Sequence, residues 1–389
     1  MQPNAIPGTA ASSYPSYNTD PLPADATGMA SNAVTLAGRI KAGISIANTL
    51  DAIGGETAAG NPRITLALIQ LVRQSGFTAV RLPTSWNQYA DQRTGRISAA
   101  WLARVKQVVQ WCVDSGLYVI VNIHGDGGWL DNNITADAQA AVNARQKAYW
   151  EQIATALRGF DEHLLFASAN EPPAKNADQM AILMSYHRTF VDAVRSTGGR
   201  NACRVLVVQG PDADIDLTCS LMNARPISAD TVPGRQMVEI HYTTPYQFTL
   251  MTADASWGNQ FYYWGAGYHS ATDTAHNATW GEEADLDVLF AKMKRKFVDK
   301  GIPVVMGEFG AVRRSTTLAG ANLQLHLDSR AWFLNYAARR AIANGLLPFY
   351  RDAGGMGNNG SAIFDREANT VFDRQALTAL IRGANGLGP

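Results

Sequence analysis

The sequence has few cysteines and no excess of charge of either sign. Three cysteines occur among 389 residues, too few for a disulfide framework, and their spacing matches no zinc motif. Cys112 lies in a helical pattern, while Cys203 and Cys219 remain candidates for one bridge in an exported protein. Basic and acidic side chains number 33 each, so no global field favours nucleic acid or an anionic membrane. We therefore expect a neutral partner.

Long hydrophobic runs and glycine-rich phosphate loops are also missing. No apolar segment approaches the ~20 residues needed to span a bilayer. Neither GxGxxG nor GxxxxGK[ST] follows the first β-type run, so no nucleotide cofactor is expected. Residues 1–32 are rich in Ala, Ser, Pro and Thr, and we expect them to include no signal peptide. They are predicted to form a flexible leader or linker of a secreted protein, extracellular or periplasmic.

Short β-type runs alternate with segments that carry apolar residues at i, i+3, i+4 and i+7. Near-continuous apolar strands separated by helices predict an α/β protein with a parallel sheet. Eight repeats favour closure as a (β/α)8 TIM barrel, formed by residues 33–389 as one domain. The connection 243–284 is too long for a simple loop and is expected to fold over the barrel mouth. The eight runs are 41–47, 77–83, 117–124, 164–171, 204–210, 237–242, 302–309 and 346–350.

Polar residues stand where these apolar runs end, which in such a barrel is where active sites form. The run LLFASANEPP ends at Asn170 and Glu171, and VVMGEFG ends at Glu308. The two glutamates are predicted to face each other across the mouth. Carboxyl groups about 5–5.5 Å apart serve retaining glycoside hydrolysis, one as acid/base and one as nucleophile. Arg81 is expected to keep one carboxylate ionised, while a less solvated Glu171 keeps its proton.

Five segments together resemble a known family. AVRLPTSW, VIVNIHGDGGWL, LLFASANEPP, VEIHYTTPYQF and VVMGEFGA are similar to the endo-β-1,4-glucanases (cellulases) of glycoside hydrolase family 5, clan A. The resemblance runs from about residue 35 to the end. It implies a retaining, endo-acting β-1,4-glucan hydrolase without cofactor or metal. The expected partner is a β-glucan polysaccharide or a small-molecule substrate, bound by a monomer.

The resemblance also implies roles for six residues. Glu171 would be the acid/base and Glu308 the nucleophile. Arg81 and His124 would position the nucleophile region, Asn170 would bind the 2-hydroxyl of the sugar under attack, and His241 would support both carboxylates.

Aromatic rings in the expected mouth loops are candidates for stacking on sugars. The alternative is that these rings only pack the 243–284 loop on itself. The predicted substrate-binding residues are Trp129, Tyr242, Thr243, Tyr246, Trp257, Trp264, Trp280 and Arg351.

Several positions depart from what the family leads us to expect. Thr243 stands in place of a Tyr that hydrogen-bonds the nucleophile, and Arg351 in place of a Trp that forms the floor of the sugar subsite. Arg351 is expected to lower the pKa of Glu171 and so oppose its role as an acid. Small residues stand where larger ones are usual at Ile44, Ala59, Gly125, Ala167 and Ala353.

These departures leave alternative functions open. One is a cellulase scaffold with a remodelled pocket, designed or diverged, which uses a glutamate as general base on a non-sugar substrate. A second is a carbohydrate-binding barrel without catalysis, although the retention of both Glu171 and Glu308 speaks against it. A third is a metal-dependent hydrolase that uses His124, Asp126 and His241.

Overall fold

The computed structural model describes residues 14–224 and 230–388, and its centre is a closed barrel of eight parallel strands. Each strand pairs with its sequence neighbour among the eight, and the last pairs with the first. The predicted (β/α)8 fold is therefore confirmed. The strands are β1 (Gly43–Ile46), β2 (Ala79–Leu82), β3 (Tyr118–Asn122), β4 (Leu164–Ala167), β5 (Leu206–Gln209), β6 (Gln236–Tyr242), β7 (Val304–Phe309) and β8 (Leu346–Asp352).

Helices surround the barrel, and several begin at a side chain that accepts a backbone N–H of the first turn, as Thr65, Asn176 and Asp214 do. Their apolar faces pack on the outside of the strands and form the main core. No described helix is long and apolar enough to cross a membrane. The α-helices within the described residues are α1 (Ala33–Ala37), α2 (Leu66–Gln74), α3 (Ala99–Asp114), α4 (Ala136–Leu157), α5 (Ala177–Ser196), α6 (Ile215–Leu221), α7 (Tyr246–Thr249), α8 (Glu283–Lys296), α9 (Gly320–Ala343) and α10 (Arg374–Ala384).

The barrel interior is apolar at one end and polar at the other. At the amino ends of the strands, inward side chains such as Ile120 and Phe349 form a second core with Leu36 of α1. Gly43 is required there, because a Cβ atom at this position would lie 2.4 Å from the Phe349 ring. Since side chains of a strand alternate between its two faces, the inward residues nearer the carboxyl ends include Arg81 and Glu239. The polar end is the mouth.

The segment before the barrel is attached to its outside. Leu22–Ala24 pairs in parallel with Gly198–Gly199, and the backbone N–H of Tyr17 donates to Glu151 on α4 at 2.6 Å. Residues 1–13 lie outside the described residues. A domain boundary at residue 32 stays a prediction.

At the other end of the chain, helix α10 begins at Asp373. One carboxylate oxygen of Asp373 caps the helix, and the other lies 2.6 Å from Arg330 of α9. The helix is thereby fixed to the barrel wall.

The long connection 243–284 is anchored on α9. The backbone N–H of Trp264 donates to Ser329 at 2.6 Å, and a ring nitrogen of His326 lies 2.8 Å from the Tyr262 carbonyl. The Arg314 guanidinium donates to the Gln247 and Met251 carbonyls from below. The connection is therefore a fixed part of the mouth.

All three cysteines are free thiols. The candidate bridge between Cys203 and Cys219 is not formed, and the Cys219 sulfur lies 3.6 Å from that of Met293 instead.

Candidate active site

Arg81 is the centre of the polar layer at the mouth. Its guanidinium is fully buried and lies 2.8 Å from one carboxylate oxygen of Glu239 and 2.8 Å from one of Glu308. A third nitrogen donates to the amide oxygen of Asn170 at 3.0 Å. Strands β2, β6 and β7 and the end of β4 are joined by this one side chain.

Glu308 is held by two guanidinium groups. Oε1 lies 2.8 Å from Arg81, and Oε2 lies 2.9 Å from Arg351 at the end of β8. Burial favours the neutral acid, but the positive charges of His241, Arg81 and Arg351 outweigh it and lower the pKa of Glu308 to about 2. The carboxylate is ionised at neutral pH, as expected.

His241 bridges two carboxylates. Nδ1 lies 2.6 Å from Glu171, and Nε2 lies 3.2 Å from Glu239. Burial disfavours the charged ring, but the nearby carboxylates of Glu308, Glu171 and Glu239 outweigh it and raise the pKa of His241 to about 9. Because both ring nitrogens face acceptors, the imidazolium form fits this position.

The ionisation of Glu171 differs from expectation. Its side chain is 48% exposed, and although burial raises its pKa, the hydrogen bond from His241 and the charge on that ring outweigh this and lower it. The pKa of Glu171 is therefore lowered, whereas the sequence led us to expect poor solvation to raise it. The lowering comes from His241 rather than from Arg351, whose partner is Glu308.

Glu171 and Glu308 come close together at the mouth. One oxygen of each carboxylate and a ring nitrogen of His241 all lie within 4.8 Å of one another. Three such groups can in principle hold a metal ion. Here both Glu308 oxygens are already paired with guanidinium groups, and both His241 nitrogens face carboxylates, so the cluster has the character of an ion-pair network.

The alternative metal site made of His124, Asp126 and His241 is not assembled. Asp126 is buried in the loop after β3, where it accepts hydrogen bonds from the Ser85 hydroxyl and from the Trp129 ring at 3.0 Å. Its carboxylate is therefore engaged within the loop structure.

His124 lies at the mouth with 17% of its side chain exposed. Its Nε2 is 3.8 Å from Asp51, and its Nδ1 is 3.5 Å from the Asn122 amide. Burial, with the charges of Arg81 and His241, lowers the pKa of His124, so the ring is neutral at pH 7.

Sequence reasoning missed Glu239 and Gln209. Glu239 is fully buried, and its second carboxylate oxygen accepts a hydrogen bond from the Gln209 amide at 2.7 Å. The amide oxygen of Gln209 in turn accepts from the Ala169 N–H at 2.8 Å. These residues connect Arg81 and His241 to the end of β4. The signal was available, since Glu239 stands two residues before His241 and so faces the same side of β6.

Three of the predicted substrate-binding aromatic residues lie in the interior. Tyr242 and Trp129 are 1–2% exposed, and Trp264 is fully buried with its ring N–H donating to the Gly281 carbonyl. A sugar cannot reach the faces of these three rings, so the prediction that they bind substrate is corrected. The rings pack the core and the mouth loops instead. For Trp264 this agrees with the alternative that the aromatic residues of 243–284 pack that loop on itself.

The other three predicted aromatic residues reach solvent. Trp257 is 64% exposed and lies 6.3 Å, centroid to centroid, from Tyr246, which is 48% exposed. Trp280 is 45% exposed and lines a cavity of about 430 Å³ that also contains His241 and Asp214. We name this the His241-side cavity.

A second cavity, of about 440 Å³, is lined by Arg351, the partner of Glu308. Of the departures from family expectation, Thr243, Arg351, Ala59 and Ala353 line it, whereas Ile44 and Ala167 are buried in strands. We name it the Arg351-side cavity. Four of the positions that differ from family expectation therefore lie around one cavity, and the others lie elsewhere.

Known proteins similar to this chain share its fold and are glucan hydrolases. Residues 44–369 match the family model described as cellulase (glycosyl hydrolase family 5). A xyloglucan-specific endo-β-1,4-glucanase from Bacteroides ovatus is 32% identical over 96% of this chain and 74% of its own length. Endoglucanase A from Paenibacillus barcinonensis is 33% identical over 96% of this chain and 95% of its own.

Solved structures agree. The Bacteroides ovatus family 5 xyloglucanase in complex with a XXXG heptasaccharide has a TM-score of 0.86 at 31% identity, covering 96% of this chain and 81% of that one. A xyloglucan-specific β-1,4-glucanase from a ruminal metagenomic library, in complex with XXLG, has a TM-score of 0.85 at 35% identity, covering 92% and 98%.

Proposed function

Because this chain belongs to glycoside hydrolase family 5, the cellulase family, and is a glycoside hydrolase, we propose that it cleaves β-1,4-glucan chains internally with retention of configuration. Glu308 is the proposed nucleophile and Glu171 the proposed acid/base. The observation that carries the proposal is the approach of the two carboxylates, whose nearest oxygens lie within 4.8 Å. Inverting enzymes need about 6.5–9.5 Å to admit a water molecule, and retaining enzymes about 5–5.5 Å.

In the first step, Glu308 attacks the anomeric carbon while Glu171, in its protonated form, donates the proton to the glycosidic oxygen. The lowered pKa of Glu171 means that this form is populated on the acidic side of neutrality. A glycosyl ester forms on Glu308 as the bond to the leaving sugar breaks. The ionised state of Glu308 suits the attack. Glu171 then removes a proton from water, which hydrolyses the ester. Forming the ester removes the Glu308 charge that raises the pKa of Glu171, so Glu171 becomes better suited to remain ionised and act as the base.

The neighbours of the two glutamates take positioning roles in this proposal. Asn170 accepts from Arg81 through its amide oxygen, so its amide nitrogen remains available to the 2-hydroxyl of the sugar under attack. Arg81 and the neutral His124 flank the nucleophile region, and His241 holds Glu171 at 2.6 Å.

Two cavities adjoin the partners of the carboxylate pair, one at Arg351 and one at His241, and they support internal cleavage because each offers room for part of a chain. Exposed Trp280 offers a face for stacking on the leaving side. Xyloglucan-type chains are the preferred candidate substrate, since similar proteins are described as xyloglucan-specific. Every proposed catalytic group belongs to one chain, so a monomer suffices. A polymeric substrate does not cross membranes, so the proposed site of action is outside the cytoplasm.

The test is hydrolysis of xyloglucan and of an unbranched β-1,4-glucan, with the anomer of the first product followed by NMR. We expect retained configuration, and a loss of about 10³-fold or more in kcat/KM in Glu171→Gln and Glu308→Gln. Glu367→Gln, which changes an exposed glutamate that lines neither cavity, is the matched control and is expected to keep full activity. Folded wild-type protein with no activity above Glu308→Gln would refute the proposal and favour the remodelled, general-base alternative.

A further inference from the structure

We propose that Arg351 makes the Arg351-side cavity a subsite for an acidic sugar, a hexuronate unit whose carboxylate its guanidinium binds. The inference rests on the proposed function, because it concerns the sugar that binds beside the proposed nucleophile. Arg351 lies at the end of β8, lines the cavity and is 31% exposed. The fully buried Arg81, by contrast, is enclosed by its own partners.

The donors of Arg351 are mostly unused. A guanidinium has five N–H donors in a planar fork that matches a carboxylate with two parallel hydrogen bonds. Only Nε has a partner, Glu308, and the two terminal nitrogens donate to no other group among residues 14–224 and 230–388. The end of the fork is therefore available to a ligand while Nε stays beside Glu308.

The cavity wall has one charge, and it is positive. Apart from Arg351, its lining consists of uncharged residues, among them Asn48, Asn61, Thr243 and Ser361. A carboxylate placed there meets no acidic side chain in the lining. Phe309 is the aromatic residue of the lining and is only 1% exposed, so a neutral sugar finds little ring surface for stacking. Polar and ionic recognition is what this wall offers.

The cavity is held open by its own hydrogen bonds. The Asn61 amide donates to the carbonyls of Asn48 and Ala353 at 2.9 and 3.1 Å, which joins the loops after β1 and β8. Gly354 allows this close approach, because a Cβ atom there would lie 1.8 Å from the Asn61 oxygen. The resulting volume of about 440 Å³ is within the range of small-ligand sites, so no rearrangement is needed to admit a sugar.

The experiment compares kcat/KM on cello-oligosaccharides with that on the same oligosaccharides oxidised at C6 to contain glucuronosyl units. The wild type is expected to prefer the oxidised substrate. Arg351→Gln should lower that preference by about 10- to 100-fold, the loss of a charge-assisted hydrogen bond. Arg351→Lys, which keeps the charge without the fork, should lie between. Arg313→Gln removes a mouth arginine that stacks on Phe372 outside the cavity, and it should leave the preference unchanged.

A wild type that hydrolyses neutral chains as well as oxidised ones, with a ratio unchanged in Arg351→Gln, overturns this inference and leaves the proposed function standing. If neither substrate is hydrolysed, calorimetry with the oxidised oligosaccharide decides. Binding that Arg351→Gln weakens at least 10-fold supports the subsite even though the proposed function has failed. Equal binding by both proteins overturns it.

Discussion

Replacing Arg81 by methionine is expected to destabilise the folded protein by about 3–5 kcal/mol, the usual cost of removing one partner from a buried ion pair. The guanidinium is fully buried and contacts two carboxylates at 2.8 Å and an amide oxygen at 3.0 Å. Its loss leaves Glu239, which is also fully buried, with His241 as its remaining cationic partner. Methionine fills similar volume, so the change tests charge rather than packing.

The expected shift in melting temperature follows from the size of the chain. Unfolding entropy is about 2.1 cal/mol/K per residue, or roughly 0.8 kcal/mol/K for 389 residues. A cost of 3–5 kcal/mol then lowers Tm by about 4–6 °C, which calorimetry resolves easily. Urea unfolding followed by circular dichroism gives the free energy independently.

A second variant tests whether the destabilisation of Arg81→Met comes from the unpaired charge of Glu239. Adding Glu239→Gln to Arg81→Met removes the stranded carboxylate, so the double variant should be more stable than Arg81→Met alone. Arg351→Met is the matched control, because that arginine is 31% exposed and should cost under about 1 kcal/mol. Equal costs for Arg81→Met and Arg351→Met, or a double variant less stable than Arg81→Met, would refute the reasoning.

Three further outcomes are expected. The pKa of Glu308 is about 2 against an ordinary 4.5, so its ionisation stabilises the fold above pH 4.5, and this stabilisation is lost as pH falls towards 2. Glu308→Gln should therefore flatten the dependence of the unfolding free energy on pH in this range, as measured by urea unfolding. An unchanged pH dependence would contradict this prediction. His241→Asn should move the alkaline limb of the kcat/KM profile upward, because the ring no longer lowers the pKa of Glu171, and a fixed limb would argue against this coupling. Trp280→Ala should raise KM for polymeric glucan by about 2- to 10-fold, whereas Phe372→Ala should not, and equal effects would remove Trp280 from the cleft.

Local sequence was sufficient for the barrel and for the positions of Glu171 and Glu308. Both glutamates end apolar runs, and a barrel gathers the carboxyl ends of its strands at one mouth. Glu239 escaped notice because it stands inside the run MVEIHY, whereas candidate site residues were sought at the ends of such runs. Its two-residue spacing from His241 places it on the inward face of β6, but closure of the barrel is what brings it to 2.8 Å from Arg81.

The aromatic residues and the acidity of Glu171 depended on distant partners. Trp264 is buried because its backbone N–H reaches Ser329, 65 residues away on α9, while Trp257 in the same connection stays exposed. The pKa of Glu171 is lowered by His241, 70 residues away, although its own segment gives no sign of a cation. Such pairings are set by the folded chain and do not follow from local composition.

The attachments at the two ends of the chain lie partly outside the residues that the family model matches. A protein trimmed to the family-matched residues 44–369 would lack the α1 residues that close the amino end of the barrel and the Tyr17 contact with Glu151. It would also lack Asp373, the partner of Arg330. The family model is therefore narrower than the set of contacts that hold the barrel together, whereas relatives that align over 96% of the chain extend beyond it. A tag or fusion partner is best joined upstream of residue 14, so that the attachments made by the described residues from 14 onward are retained.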